Sequence, residues 1–79
     1  MEELQKLIEY IARNLVNEPD TVNVDAHQRG QIVVVTLNVP SEEMGKVIGR
    51  EGRIARSMRT LLTIAASRRG LRASLDING

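Results

Sequence analysis

Apolar side chains in this chain keep a period of 3.6 residues, change to a period of two, return to 3.6 and change to two again. That alternation limits the fold more than any single residue does. Leu4, Leu7, Ile8, Ile11 and Leu15 fall at i, i+3, i+4, i+7 and i+11, which predicts an amphipathic helix over residues 1–16 with one buried stripe. Asn17-Glu18-Pro19-Asp20 ends it, because proline lacks the amide proton and disfavours helix in the residue before it. Val22, Val24 and Ala26 then alternate with Asn23, Asp25 and His27, and a β-branched run from Ile32 to Val39 follows a tight turn expected at Arg29-Gly30. With Gln28 opposite Gln31, the hairpin pairs Ala26 with Val33, Val24 with Val35 and Val22 with Leu37, so all six share one face. Ile32 and Val34 leave some apolar surface on the other.

Pro40 closes the second strand, and Ser41 is expected to cap a short helix that carries Glu42 and Glu43 in its first turn and reaches about Ile48. Gly49-Arg50-Glu51-Gly52 interrupts it. Ile54, Met58, Leu61, Leu62 and Ala65 carry a longer helix to about Arg68, and Gly70 supplies the stop. Leu71, Ala73, Leu75 and Ile77 alternate as a last strand. The order is αββααβ, an α+β chain. A strand, two helices and a strand in one sheet imply a crossover, so the last strand is expected to run parallel to the second, beside an antiparallel first. The expectation is one domain over 1–79, a three-stranded mixed sheet covered on one face by three helices.

A net charge of +1 hides a polar distribution. Residues 1–40 sum to −3 and residues 41–79 to +4, and between Lys46 and Arg72 eight basic residues face one acid, Glu51. There is no cysteine and one histidine, His27, so no disulfide framework or cysteine-bearing zinc site is available, which fits a reducing cytoplasm. The apolar runs are too short to span a bilayer, and the start MEELQKLIEY is acidic and amphipathic rather than a basic leader. The expectation is a cytoplasmic protein without membrane, metal, cofactor or small-molecule substrate.

Flexible backbone and dense positive charge coincide at GKVIGREGRIARSM, residues 45–58. One reading makes Gly49 and Gly52 a helix-turn-helix corner that needs positive φ. A nucleotide loop fits poorly, because neither phosphate-loop spacing is present and the turn follows a helix rather than a strand. The third reading is a clamp for a nucleic-acid backbone. Two residues without Cβ admit phosphates close to the main chain, amides opening the next helix act as donors, and Arg50, Arg53 and Arg56 add charge. Glu51 is the awkward member, since a carboxylate repels phosphate; it is expected to point away and pair with an arginine on the same corner.

Val47-Ile48-Gly-x-x-Gly-x-Ile54 between two helices of an αββααβ chain resembles the KH domain in its type II arrangement, across essentially the whole sequence. GKVIGREGRIARSMRTLL, Leu75-Asp76-Ile77 and the short length are similar to small bacterial RNA-binding proteins of the KhpA type. The resemblance implies an RNA chaperone or post-transcriptional regulator that clamps about four nucleotides of single-stranded RNA. The backbone would lie on Gly49, Arg50, Glu51 and Gly52, flanked by Lys46, Arg53 and Arg56, with bases on an aliphatic groove at Val47, Ile48 and Ile54. It also implies a homodimer, a larger KH-containing protein partner, or both. Single-stranded DNA binding, and use of the fold mainly as a dimerisation scaffold, are the alternatives.

The sole aromatic, Tyr10, sits on a helix, so a stacking platform on strands is excluded and binding is expected to be salt-dependent and weakly sequence-specific. On a wheel at about 100° per residue, Ile54, Ala55, Met58, Leu61, Leu62, Ile64, Ala65 and Ala66 spread over roughly 200°, more than one sheet contact needs. Either the N-terminal helix covers the excess or a second chain does, with Ile64 or Ala66 at the edge. His27 lies on a polar face without metal-binding company, and Ser41 and Ser57 have no base partner; no enzyme is expected.

Overall fold

A computed structural model of the chain describes residues 2–79. Helix α1 (Glu2–Arg13) leads through a 3-10 turn at Pro19–Thr21 into strand β1 (Asn23–Arg29), which turns back as β2 (Ile32–Asn38). A second 3-10 turn at Ser41–Glu43 enters α2 (Met44–Ile48), a third at Arg50–Gly52 links it to α3 (Arg53–Ser67), and β3 (Arg72–Asn78) ends the chain. The sheet order is β1-β2-β3, antiparallel between β1 and β2 and parallel between β2 and β3. This is the type II KH topology.

The centre of the core is Val33, Val35 and Leu37 on the middle strand, buried under Leu4, Ile8 and Ala12 of α1 and Met58, Leu62 and Ala66 of α3. α1 ends three residues earlier than its periodicity predicts. The amides of Leu15 and Val16 both bond to the Ala12 carbonyl, so Val16 turns inward and is buried while Leu15 is only half-buried. Each edge strand receives a side chain from the helix above it: Gln5 Nε2 donates to the Val24 carbonyl at 2.7 Å, and Arg59 Nε to the Leu75 carbonyl at 3.3 Å. Such contacts blunt strand edges that would otherwise recruit other chains.

The hairpin departs from expectation by two residues. Arg29 pairs with Ile32, Ala26 with Val35 and Val24 with Leu37, so the loop is Gly30-Gln31 rather than Arg29-Gly30. Gly30 has φ +58, the positive value a type II′ turn requires at its first loop position. A shift of two preserves parity. The same side chains therefore face the core, and Ile32, 51% exposed, remains on the open face.

Ser41 does not cap α2. It opens the 3-10 turn, and its side chain makes no capping bond. The residue that fixes this corner is Glu43, only 3% exposed, which accepts the amides of Glu18 at 2.9 Å and Asn17 at 3.3 Å and the Lys46 Nζ at 3.1 Å. Those bonds hold its carboxyl below the usual 4.5, the Glu18 amide contributing most and burial opposing it. A single carboxylate thereby fastens the start of α2 to the loop between α1 and β1.

Candidate nucleic-acid interface

The turn between α2 and α3 has backbone geometry that few residues tolerate. Gly49 has φ 76 and ψ 173, a region open essentially to glycine alone. Glu51 follows at φ 56 and ψ 24, and Gly52 at φ 74 and ψ 16, both left-handed. The amide of Gly52 donates to the Gly49 carbonyl at 3.1 Å and the amide of Arg53 to the Arg50 carbonyl, so the first amide of α3 is held inside the turn instead of facing outward as expected. Val47 lies beneath, fully buried.

Around this turn the side chains divide. Arg50, Arg53 and Arg56 are exposed on one corner. Glu51 pairs with Arg53, Nη2 to Oε1 at 3.3 Å, and its carbonyl accepts Arg56 Nη1 at 2.8 Å. The carboxylate thus pairs with an arginine on the same corner, as the sequence suggests, and the exposed pair contributes little to stability. Arg53, Arg56, Ser57, Thr60 and Leu61 line an open groove of about 660 Å³ on the outer side of α3.

Lys46 is elsewhere. Its ammonium is tied to Glu43 in a separate pocket with Asn17, Glu18 and Glu42, so an acidic neighbourhood surrounds it. Of the three aliphatics, Val47 presents no surface, whereas Ile48 and Ile54 are half-buried and keep part of theirs open. Ala66 is fully buried against the core and is not an edge residue. The exposed apolar edge of α3 is Leu61, 48% exposed, with Ile64, 47% exposed. α1 packs along α3, yet Leu61 and Ile64 stay about half exposed, so only part of the wide apolar arc is covered within the chain. Sequence reasoning missed Glu43, because a carboxylate in a first helical turn looks like a dipole partner and nothing local announces the amides it meets. Among the described residues no cluster of histidine, cysteine and carboxylates is arranged to hold a metal ion.

Residues 5–77 match the family model described as the KhpA/KhpB KH domain. The chain is 47% identical over 73 residues to the RNA-binding protein KhpA of Treponema pallidum, covering 92% of this chain and 91% of that one. It is 42% identical over 77 residues to KhpA of Aquifex aeolicus, covering 98% of each, and 40% identical over 74 residues to KhpA of Halalkalibacterium halodurans, covering 94% and 97%. Among solved structures, Aquifex aeolicus Era aligns with TM-score 0.67 at 12% identity over 95% of this chain and 30% of that one, a likeness of fold alone. Family model, close relatives and topology agree: the chain belongs to the KhpA/KhpB family of KH domains.

Proposed function

We propose that the protein is a non-catalytic, single-stranded RNA-binding module of the cytoplasm, an RNA chaperone or post-transcriptional regulator, and that it clamps the RNA backbone at Gly49–Gly52. The observation that carries this is the turn: a glycine-only backbone beside the exposed Arg50, Arg53 and Arg56. Phosphates approach where no Cβ stands, guanidinium groups supply the attraction, and Ile48 and Ile54 offer apolar surface to bases. Val47 supports the turn from below. Lys46 joins the RNA contacts only by leaving Glu43. The relatives named RNA-binding proteins support the same reading. Among the described residues no helix is long and apolar enough to cross a membrane.

Gly52→Asp tests the clamp with least damage to the fold. A Cβ there meets only the flexible end of Arg56, at 3.4 Å, and aspartate tolerates left-handed φ better than most residues. A labelled single-stranded RNA titrated at two salt concentrations is expected to bind the folded variant at least tenfold more weakly, about 1.4 kcal/mol; equal binding contradicts the clamp. Single-stranded DNA of the same sequence decides whether the sugar is read.

Exposure of Leu61 and Ile64 supports a second contact, with another copy or a larger KH-containing partner. Sedimentation at micromolar concentration, with and without Ile64→Gln, reports on the copy: a species that is monomeric in both contradicts self-association.

A further inference from the structure

Leu61 and Ile64 share their outward arc of α3 with Arg53, Ser57 and Arg68, on a wheel of about 100° per residue. In chain order the arc reads Arg53, Ser57, Leu61, Ile64, Arg68, an apolar pair in the middle and a guanidinium at each end. Such a stripe fits a second copy of itself in the antiparallel sense. A two-fold axis beside α3 sets Leu61 of each copy against Ile64 of the other, as an isologous interface requires. The same axis places Arg68 of one copy opposite Ser57 of the other, about one helical turn, 5.4 Å, from its Arg53. Ser57 and Arg53 both line the open groove on the outer side of α3, and Arg53 directly follows the glycine turn.

The charges in this arrangement are unbalanced. No acidic residue lies between Arg53 and Ser67. Glu51 answers Arg53 within its own chain, whereas Arg68 has no ion pair among the described residues and is exposed. Arg69 beside it is already paired with Glu3, and Arg59 is bonded to the Leu75 carbonyl. Pairing two α3 helices therefore sets an unpaired guanidinium beside the other copy's arginines, with no acidic residue on α3 to offset it. A phosphate backbone lying at the Arg53 and Ser57 end of the groove, clear of the Leu61 contact, offsets it directly.

We propose that Arg68 is a nucleic-acid contact supplied in trans, reaching a strand held by the Gly49–Gly52 turn of a second copy docked through Leu61 and Ile64. This rests on the clamp and self-association readings above. Without RNA the like charges weaken the pair, so salt strengthens it. RNA replaces the repulsion by attraction, and by linkage each event favours the other. Dimer formation and RNA binding then respond to salt with opposite sign.

The test compares Arg68→Ala in the wild-type chain and in a Leu61→Gln/Ile64→Gln chain, by titration of a short labelled single-stranded RNA between about 50 and 200 mM salt. In the wild-type chain the substitution is expected to weaken binding several-fold and to lower the slope of log affinity against log salt by about 0.7, the value for one single-strand phosphate contact. In the Leu61→Gln/Ile64→Gln chain it is expected to change affinity less than about twofold. Equal loss in both chains places Arg68 on RNA in cis and overturns the proposal, as does no loss in either. Sedimentation without RNA is expected to show Arg68→Glu dimerising more tightly than wild type at low salt; a weaker dimer, or a monomer even with RNA present, overturns the docking. If Gly52→Asp binds as wild type, the clamp fails and this proposal with it. If Gly52→Asp is impaired while Arg68→Ala is silent, the trans contact alone fails.

Discussion

A β-carbon at Gly49 would stand 2.6 Å from Cγ1 of Ile54, 2.9 Å from its Cδ1 and 3.0 Å from its Cβ. Ile54 packs against the core at the start of α3, and because its Cβ is itself among the close atoms, a change of rotamer alone does not clear the contact. The glycine and the isoleucine together fix how closely α2 is joined to α3. Gly49→Ala is expected to cost about 2–4 kcal/mol, from a strained φ/ψ and an overpacked contact together, measured by urea denaturation. Gly52→Ala bears only the left-handed conformation and is expected to cost about 1–2 kcal/mol. In Gly49→Ala/Ile54→Ala the costs are expected to be less than additive, because the clash disappears.

Glu51 holds a left-handed conformation that a non-glycine side chain adopts at a cost, and it sets a carboxylate among arginines. Glu51→Gln is expected to leave stability within about 0.5 kcal/mol, since the pair it loses is exposed. RNA affinity is expected to rise several-fold, with a larger gain at low salt, because a repulsive charge leaves the phosphate path. Unchanged or weaker binding in the titration would place the carboxylate in a positive role on RNA.

Glu43 gives stability a sensitivity to acid. Its folded-state carboxyl lies below the ordinary 4.5, so its contribution is complete above that value and is lost as pH falls through the depressed folded value. Glu43→Gln is expected to lower the melting temperature at pH 7, because an amide cannot accept both loop amides and the lysine as a carboxylate does. The difference between variant and wild type is expected to shrink on acidification below about pH 4.5. A melting temperature identical to wild type at pH 7 would show that the loop holds without it.

The arginines at the turn are expected to act through charge. Arg50→Ala, Arg53→Ala and Arg56→Ala are each expected to reduce the salt slope of RNA binding by about 0.7 if each meets one phosphate, without changing preference among RNA sequences. Arg56→Ala also removes its bond to the Glu51 carbonyl and is expected to loosen the turn, seen as faster amide exchange at Gly52 and Arg53.

Most of the fold is legible in the periodicity of the sequence. Alternation in β1 and β2 named the core face, but it is blind to a shift of two residues, and both Arg29-Gly30 and Gly30-Gln31 make a plausible two-residue loop. The observed pairing of Arg29 with Ile32 decides between them and puts Gly30, with its positive φ, at the first loop position. The glycine turn and its arginines were visible in the string because the signal is local. Glu43 was not, since its partners Asn17 and Glu18 lie 26 and 25 residues away. The helical wheel gave the width of the apolar arc on α3 without its orientation, so it marked Ala66 as an edge when α1 and the sheet enclose that residue and leave Leu61 outside.

The most direct measurement is an amide-resolved NMR titration with a short single-stranded RNA. The largest shifts are expected at Gly49 to Arg56, with smaller ones at Ile48 and little change at Asp25, Val34 and Ser74 on the open sheet face. Shifts concentrated on that face, with the glycine turn unmoved, would contradict the clamp.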